Sequence, residues 1–285
     1  MFMLDANGLK GPIEEAAQIL ENLGGFGAIA WFETERRQFR LEAYGEDEDV
    51  MQSGVAALAL MMPELATKYA LLPQSDWIKM SLEGLPPVDA GRFRILGSHD
   101  KSKIKKGKIE IIIDAGEAFG TGHHGTTRGC LLALERLIRN GKTPKNVLDV
   151  GTGSGVLAIA AAKMGAKCIG TEIDARAAEV ARENLHVNKV NPNVKIYVAN
   201  GIRRTTIRKD AGYDLVFANI LMKPLIKLSR DLSQSVAFGG HLVLSGLLTT
   251  QEPAIKRAFS QQGLVLVNTY HQDVWSTLTY KRVKN

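Results

Sequence analysis

Val147-Leu148-Asp149-Val150-Gly151-Thr152-Gly153-Ser154-Gly155 runs directly into Val156-Leu157-Ala158-Ile159-Ala160-Ala161-Ala162-Lys163-Met164-Gly165. Apolar residues flank one Asp, three Gly fall at alternate positions, and an alanine-rich run follows. The order reads as strand, tight turn, helix. Glycine lets such a turn take positive φ and brings bare backbone up to a ligand. The helix N-terminus behind it suits a polar or anionic group. A second short strand, Lys167-Cys168-Ile169-Gly170-Thr171-Glu172-Ile173-Asp174, ends in acid. Glu172 stands 21 residues after Gly151. At that spacing a carboxylate after the second strand of a nucleotide-binding βαβ unit meets ribose hydroxyls. A dinucleotide loop reads G-x-G-x-x-G, whereas the glycines here read G-x-G-x-G.

Working outward, the same alternation continues. A helix is expected through Ala177 to Asn188, then strands over 195–199, 213–218 and 240–246. A helix follows the fourth strand, with Pro224 near its first turn, where proline is tolerated. Another is expected from Glu252 to Gln261, and two β-rich segments, 264–270 and 277–283, close the chain. This is an α/β pattern: a mostly parallel, seven-stranded, Rossmann-like sheet with an antiparallel edge. Residues 1–75 read differently. Apolar stripes mark helices over 12–23 and 47–62, and β-patterned runs cover 1–4, 27–32, 38–44 and 68–72. The β-α-β-β-α-β order implies a small N-terminal α+β domain of the ferredoxin-like type. Residues 76–116 then form a linker and connecting strands: a short helix over 76–82, the punctuation Gly84-Leu85-Pro86-Pro87, and strands over 93–96 and 108–113. Residues 117–285 make the third segment.

Composition narrows the class. The chain has 285 residues, 45 % of them hydrophobic and 23 % charged, within the range of globular domains. Its two cysteines, Cys130 and Cys168, sit in apolar segments and read as core thiols. The first residues lack the basic and apolar pattern of a signal peptide, and no apolar run is long enough for a membrane span. A cytoplasmic location and no membrane partner are expected. Residues 1–75 hold 12 acids against 5 Lys or Arg, a balance of −7, so the remainder carries +13. An acidic front part beside a basic catalytic part suits a basic protein substrate docking on the front. The loop 101–108 holds five Lys. It reads as solvated, because no aromatics interleave there for base stacking.

A second stretch carries chemistry: Glu117-Ala118-Phe119-Gly120-Thr121-Gly122-His123-His124-Gly125-Thr126-Thr127. It leads into a helix from Thr126 or Thr127 to about Ile138, which one Thr is expected to cap. His123-His124 invites a metal reading, but no third ligand is spaced as zinc requires, so no metal is expected. The apolar-apolar-Asp-apolar-Gly-x-Gly-x-Gly loop with its following acid resembles the S-adenosylmethionine loop of Rossmann-like methyltransferases. Together with Ala118-Phe119-Gly120-Thr121-Gly122, His124 and Thr126-Thr127 ahead of that loop, and Ala218-Asn219-Ile220-Leu221 and Pro224-Leu225 after the fourth strand, the chain resembles the bacterial methyltransferases of large-subunit ribosomal protein eleven. The likeness covers almost the whole chain.

The resemblance implies an S-adenosylmethionine-dependent enzyme that methylates amines, both lysine side chains and the N-terminal α-amine, of that ribosomal protein. It implies a front domain that grips the substrate and a hinge to the catalytic domain. The family's cofactor contacts fall on Thr127, Gly151, Glu172 and Asn219. Phe119 offers a flat apolar face that can cover the cofactor, and Gly153 lies in its loop. Departures from the family pattern are His123, Gly125, Thr152 and Glu172, where Thr, Pro, Cys and Asp are common. Asn219, at a strand end where α/β sites collect ligands, is the catalytic candidate, its amide oxygen accepting a proton of the incoming amine. Enzymes that methylate glutamine amides carry Asn-Pro-Pro-aromatic here; Asn219-Ile220-Leu221-Met222 favours amines. The enzyme is expected to be a monomer that needs no direct nucleic-acid binding. The alternatives are a lysine methyltransferase for another basic protein and a catalytically silent scaffold that binds a ribosomal protein.

Overall fold

The computed structural model describes residues 2–26, 28–35, 37–45, 47–71, 87–97, 106–113, 125–202 and 212–284. The chain divides into two compact units, Met1–Met80 and Ser81–Asn285.

In the first unit β1 (Phe2–Gly8), α1 (Lys10–Leu23), β2 (Ala28–Glu35), β3 (Gln38–Gly45), α2 (Glu48–Met61) and β4 (Thr67–Leu71) follow in the β-α-β-β-α-β order read from the sequence. The strands lie in the order β2-β3-β1-β4 with every neighbour antiparallel. Helix α1 buries Ile13, Ala16, Ala17 and Leu20, a single stripe at helical spacing. These meet Leu4 and Ala6 of β1, Leu41 of β3, and Met51 and Leu58 of α2 in one core. The N-cap of α2 is Asp47, whose carboxylate accepts the Asp49 backbone N–H at 2.9 Å. Glu48 and Asp49 then place negative charge on the positive end of the helix dipole.

The second unit opens with a small sheet of β5 (Val88–Ala90), β6 (Phe93–Leu96) and β7 (Ile109–Ile112). It continues with α3 (Gly125–Arg139), β8 (Asn146–Val150), α4 (Val156–Lys163), β9 (Lys167–Glu172), α5 (Ala175–Val187), β10 (Val194–Val198), β11 (Tyr213–Asn219), α6 (Met222–Lys227), α7 (Ser229–Ser235), β12 (Val236–Leu248), α8 (Glu252–Ser260), β13 (Leu264–Gln272) and β14 (Trp275–Arg282). The large sheet runs β10-β9-β8-β11-β12-β14-β13. Its first five strands are parallel and its last two antiparallel, so the Rossmann-like architecture stands.

Both faces of this sheet are covered, which explains its near-continuous apolar strands. Val147, Leu215, Phe217 and Val243 join α3, α4 and α5 in one core. Their neighbours Leu148, Val150, Val216, Ala218, Leu242 and Leu244 join α6, α7 and α8 in the other. Phe93, Ile95, Ile111 and Ile113 belong to the first of these cores. Asn188, just past α5, ties β7 down by donating to the Ile112 carbonyl at 2.6 Å and accepting the Ile112 N–H at 3.0 Å. The short strand β5 and the split of the helix after β11 into α6 and α7 are absent from the sequence reading. Pro224 still sits in the first turn of α6, where its missing N–H breaks no ladder bond. The expected helix over 76–82, the Gly84–Pro86 linker and most of the Lys-rich loop lie outside the described residues.

Candidate active site

Chain order reverses between β8 and β11: one neighbour of β8 leads to β9 and β10, the other to β12. Such a switch point, at the C-terminal strand ends, is where open α/β sheets bind ligands. Gly151, Gly153 and Gly155 have φ of 71°, 52° and 84°. Gly151 is compelled as well by space, because a Cβ there would stand 2.4 Å from Cγ2 of Ile220. The loop is pinned to β9 by the Thr171 carbonyl, which accepts from Gly151 N at 2.8 Å and Thr152 N at 3.0 Å. The Thr152 hydroxyl donates to Oδ2 of Asp149 at 2.6 Å. Burial pushes the Asp149 carboxyl up to about 6, and the Glu172 charge adds to this, while the Thr152 hydroxyl and the Ala158 N–H oppose it.

Glu172 ends β9 and turns its carboxylate back onto the loop. Oε2 accepts the Gly153 N–H at 3.0 Å; Oε1 accepts those of Ile173 at 2.8 Å and Asp174 at 3.2 Å. The acid and the glycine loop, separate in sequence, are thus one hydrogen-bonded unit. A carboxylate has about four acceptor directions, so the three N–H groups leave one for a ligand hydroxyl.

Asn219 ends β11. Its Nδ2 donates to the Thr127 hydroxyl at 3.4 Å, and its Oδ1 is buried without a hydrogen-bond partner among the described residues. Thr127 is fully buried inside the first turn of α3, which begins at Gly125. The sequence reading made a Thr the cap; instead Thr127 turns its hydroxyl to Asn219.

The structure therefore brings Thr127 to Asn219, Gly153 to Glu172, and Gly151 to Ile220 beside Asn219, all at one end of the sheet. Phe119 and His123-His124 lie outside the described residues. Three features escaped the sequence reading. Ile173 and Leu221 follow their strands with 67 % and 71 % of their surface exposed, a large apolar exposure beside Glu172 and Asn219. The third is Gly246 in β12, with φ 80° and its Cα against the Ile220 backbone. A glycine inside a strand pattern is the usual sign of such close backbone approach.

These residues fit S-adenosylmethionine: bare loop backbone, an acid at the second strand end, an unpartnered buried amide oxygen, and exposed apolar side chains alongside. No helix among the described residues is long and apolar enough to cross a membrane.

Comparison with known proteins agrees. The family model for ribosomal protein L11 methyltransferase (PrmA) matches residues 3–283. The ribosomal protein L11 methyltransferase of Caulobacter sp. strain K31 is 40 % identical over 282 residues, spanning 97 % of this chain and 96 % of that protein. That of Brucella suis is 41 % identical over 277 residues, spanning 95 % and 96 %. The crystal structure of ribosomal protein L11 methylase from Lactobacillus delbrueckii subsp. bulgaricus superimposes with a TM-score of 0.61 at 29 % identity, covering 70 % of this chain and 100 % of that one. With its glycine loop, its acid and its Asn219 set at the switch point of a matching sheet, this chain belongs to the S-adenosylmethionine-dependent ribosomal protein L11 methyltransferase family.

Proposed function

We propose that this chain methylates lysine side chains and the N-terminal α-amine of large-subunit ribosomal protein eleven. The observation that carries the amine chemistry is the buried Oδ1 of Asn219, which has no hydrogen-bond partner among the described residues. A buried polar atom left unsatisfied costs about 1–3 kcal/mol, so an incoming N–H is welcomed there. The bound cofactor supplies an activated methyl group on a sulfonium, and Thr127, Gly151, Gly153, Glu172 and Asn219 would hold it, with Phe119 as cover.

The protein's own work is to orient and desolvate the amine. A free lysine has a pKa of about 10.4, so only about one in a thousand is neutral near pH 7.4. Apolar surroundings lower that pKa, and Ile220 and Leu221 flank the Asn219 amide on the chain. Accepting one N–H, Oδ1 of Asn219 fixes the direction of the nitrogen lone pair. Good alignment of this kind contributes about 7–11 kcal/mol. Thr127 holds the amide by its other end, so the oxygen keeps its heading. Ile220-Leu221 in place of adjacent prolines favours an amine over a planar amide.

Residues 1–75 are the substrate-recognition domain, of the ferredoxin-like type. Exposed Glu14, Glu15, Glu21, Asp47, Glu48 and Asp49 give it the charge to grip a basic protein. Residues 117–285 carry the methyltransferase, with 76–116 joining the two. The enzyme acts in the cytoplasm as a monomer. Incubation with labelled cofactor and total ribosomal protein tests the reading. Label on protein eleven supports it; label on a different basic protein, or none at saturating substrate, rejects it.

A further inference from the structure

A groove lies between α3 and the β13–β14 hairpin, along the helix face that carries Gly129, Ala133, Arg136 and Asn140 and below Tyr270 and Asn268. Its volume is about 520 Å³. It continues past Arg136 and Asn140 into a second hollow bounded by Lys142, His241 and Lys281. Four permanent cations line this path: Arg136, Arg139, Lys142 and Lys281. Glu135 is the one carboxylate among the described lining residues, and its charge is engaged by the Arg92 guanidinium, which donates to both oxygens. Arg136 donates to Oδ1 of Asn268 at 2.7 Å. His241, almost fully buried, is pushed down to about 4, first by burial and then by the facing Lys142 and Lys281.

Arg136 and Arg139 also suit the C-terminal end of the α3 dipole, but Lys142 and Lys281 lie off the helix and gain nothing from it. Four cations, two amides and a phenol along one groove are the donor mix that proteins present to the phosphates and sugars of nucleic acid. A strongly basic catalytic half, +13 over residues 76–285, adds a long-range field of the same sign.

We propose that this groove binds the phosphodiester backbone of RNA. The choice of RNA over an acidic peptide rests on the function proposed above, since a ribosomal protein is itself a ligand of RNA. Arg136 and Arg139 stand 9 and 12 residues from Thr127 along α3, roughly 14–18 Å at 1.5 Å per residue. The basic end of the groove is therefore set back from Thr127, while Gly129 lines the near end. It retains the enzyme near ribosomal RNA without taking part in the reaction.

The test is fluorescence anisotropy of the full-length protein with a labelled single-stranded RNA of about a dozen nucleotides, over a range of salt. Each phosphate contact contributes about −0.7 to the slope of log K against log salt for single strands, so four cations predict a slope near −3. The variant Arg139→Glu/Lys142→Glu/Lys281→Glu should bind RNA more than tenfold more weakly. It should methylate free ribosomal protein at the wild-type rate. The milder Arg139→Gln/Lys142→Gln shifts affinity and slope in the same direction and keeps the test independent of folding. Undiminished RNA binding in both variants overturns the proposal, as does a poly-glutamate chain that binds as tightly as RNA. Loss of methyl transfer by the wild-type enzyme counts against the proposed function, not against the groove.

Discussion

Gly246→Ala is the sharpest probe of how the active turn is held. Gly246 has φ 80°, and a Cβ built there would stand 2.6 Å from the carbonyl oxygen of Ile220, 2.9 Å from its carbon and 3.0 Å from its nitrogen. Those are backbone atoms, so no side-chain rotation relieves the overlap. An ordinary contact is about 3.5 Å, which asks the Ile220 peptide to withdraw by roughly 0.5–0.9 Å. Ile220 also packs close to Gly151, where an added Cβ would overlap its Cγ2, so a shifted Ile220 also disturbs the glycine loop. The displaced peptide adjoins Asn219. A misplacement of about 1 Å can lower a rate by about 10²-fold, so kcat should fall roughly ten- to hundredfold. The left-handed backbone alone costs an alanine about 1–2 kcal/mol. Gly239→Ala is the control, because Gly239 has φ 83° but open space where its Cβ would be. Both variants should lose melting temperature, Gly246→Ala by more because the backbone overlap adds to the left-handed strain, and Gly246→Ala alone should lose turnover. Measured kcat for methyl transfer and a thermal melt decide it. Wild-type kcat in Gly246→Ala, with only the stability loss that the control shows, refutes the reasoning.

Three further outcomes are expected. Glu172→Ala should weaken cofactor binding about ten- to hundredfold, the size of roughly 1.5–3 kcal/mol for a charge-assisted hydrogen bond. It should also speed amide exchange at Gly153, whose N–H it leaves unpaired; an unchanged dissociation constant by calorimetry removes Glu172 from the site. Deleting residues 1–75 should leave cofactor binding near the wild-type value but abolish methylation of the full-length ribosomal protein, and a wild-type rate on that substrate would sink the docking role. Burial of Glu252 would raise its pKa, but hydrogen bonds from Lys256, Ser276 and His271 outweigh this and hold it down to about 2 against an ordinary 4.5. Its depressed value means that its contribution to stability is complete above pH 4.5 and is lost as pH falls toward 2. Glu252→Gln should therefore melt below wild type near neutral pH, with the gap closing under acid; a gap independent of pH would show that the charge is not the cause.

The glycine loop, the acid 21 residues on and the alternation of apolar segments were legible because they are local. Loop backbone, strand period and helix stripe each depend on residues near in sequence. The covered sheet, the antiparallel edge and the β-α-β-β-α-β front unit followed from the same patterns. Asn219 could be singled out by its place at a strand end, since the period of the preceding apolar run says where that end is.

What the chain could not show by local pattern is which strand ends meet. Thr127 and Asn219 are 92 residues apart, and their hydrogen bond exists only because α3 packs across the sheet beside β11. That packing also moved Thr127 from an expected cap into the buried first turn. Glu172 reads as a ligand for ribose, yet only the folded loop reveals that Gly153, Ile173 and Asp174 already hold it. The groove of Arg136, Lys142 and Lys281 is tertiary in the same sense, assembled from distant segments, and Gly246 marks a close approach without saying which backbone it meets. Local sequence determined the elements and their faces, because period and propensity act over a few residues. The fold decided the contacts between elements, because close backbone approach and shared burial arise only when distant segments pack.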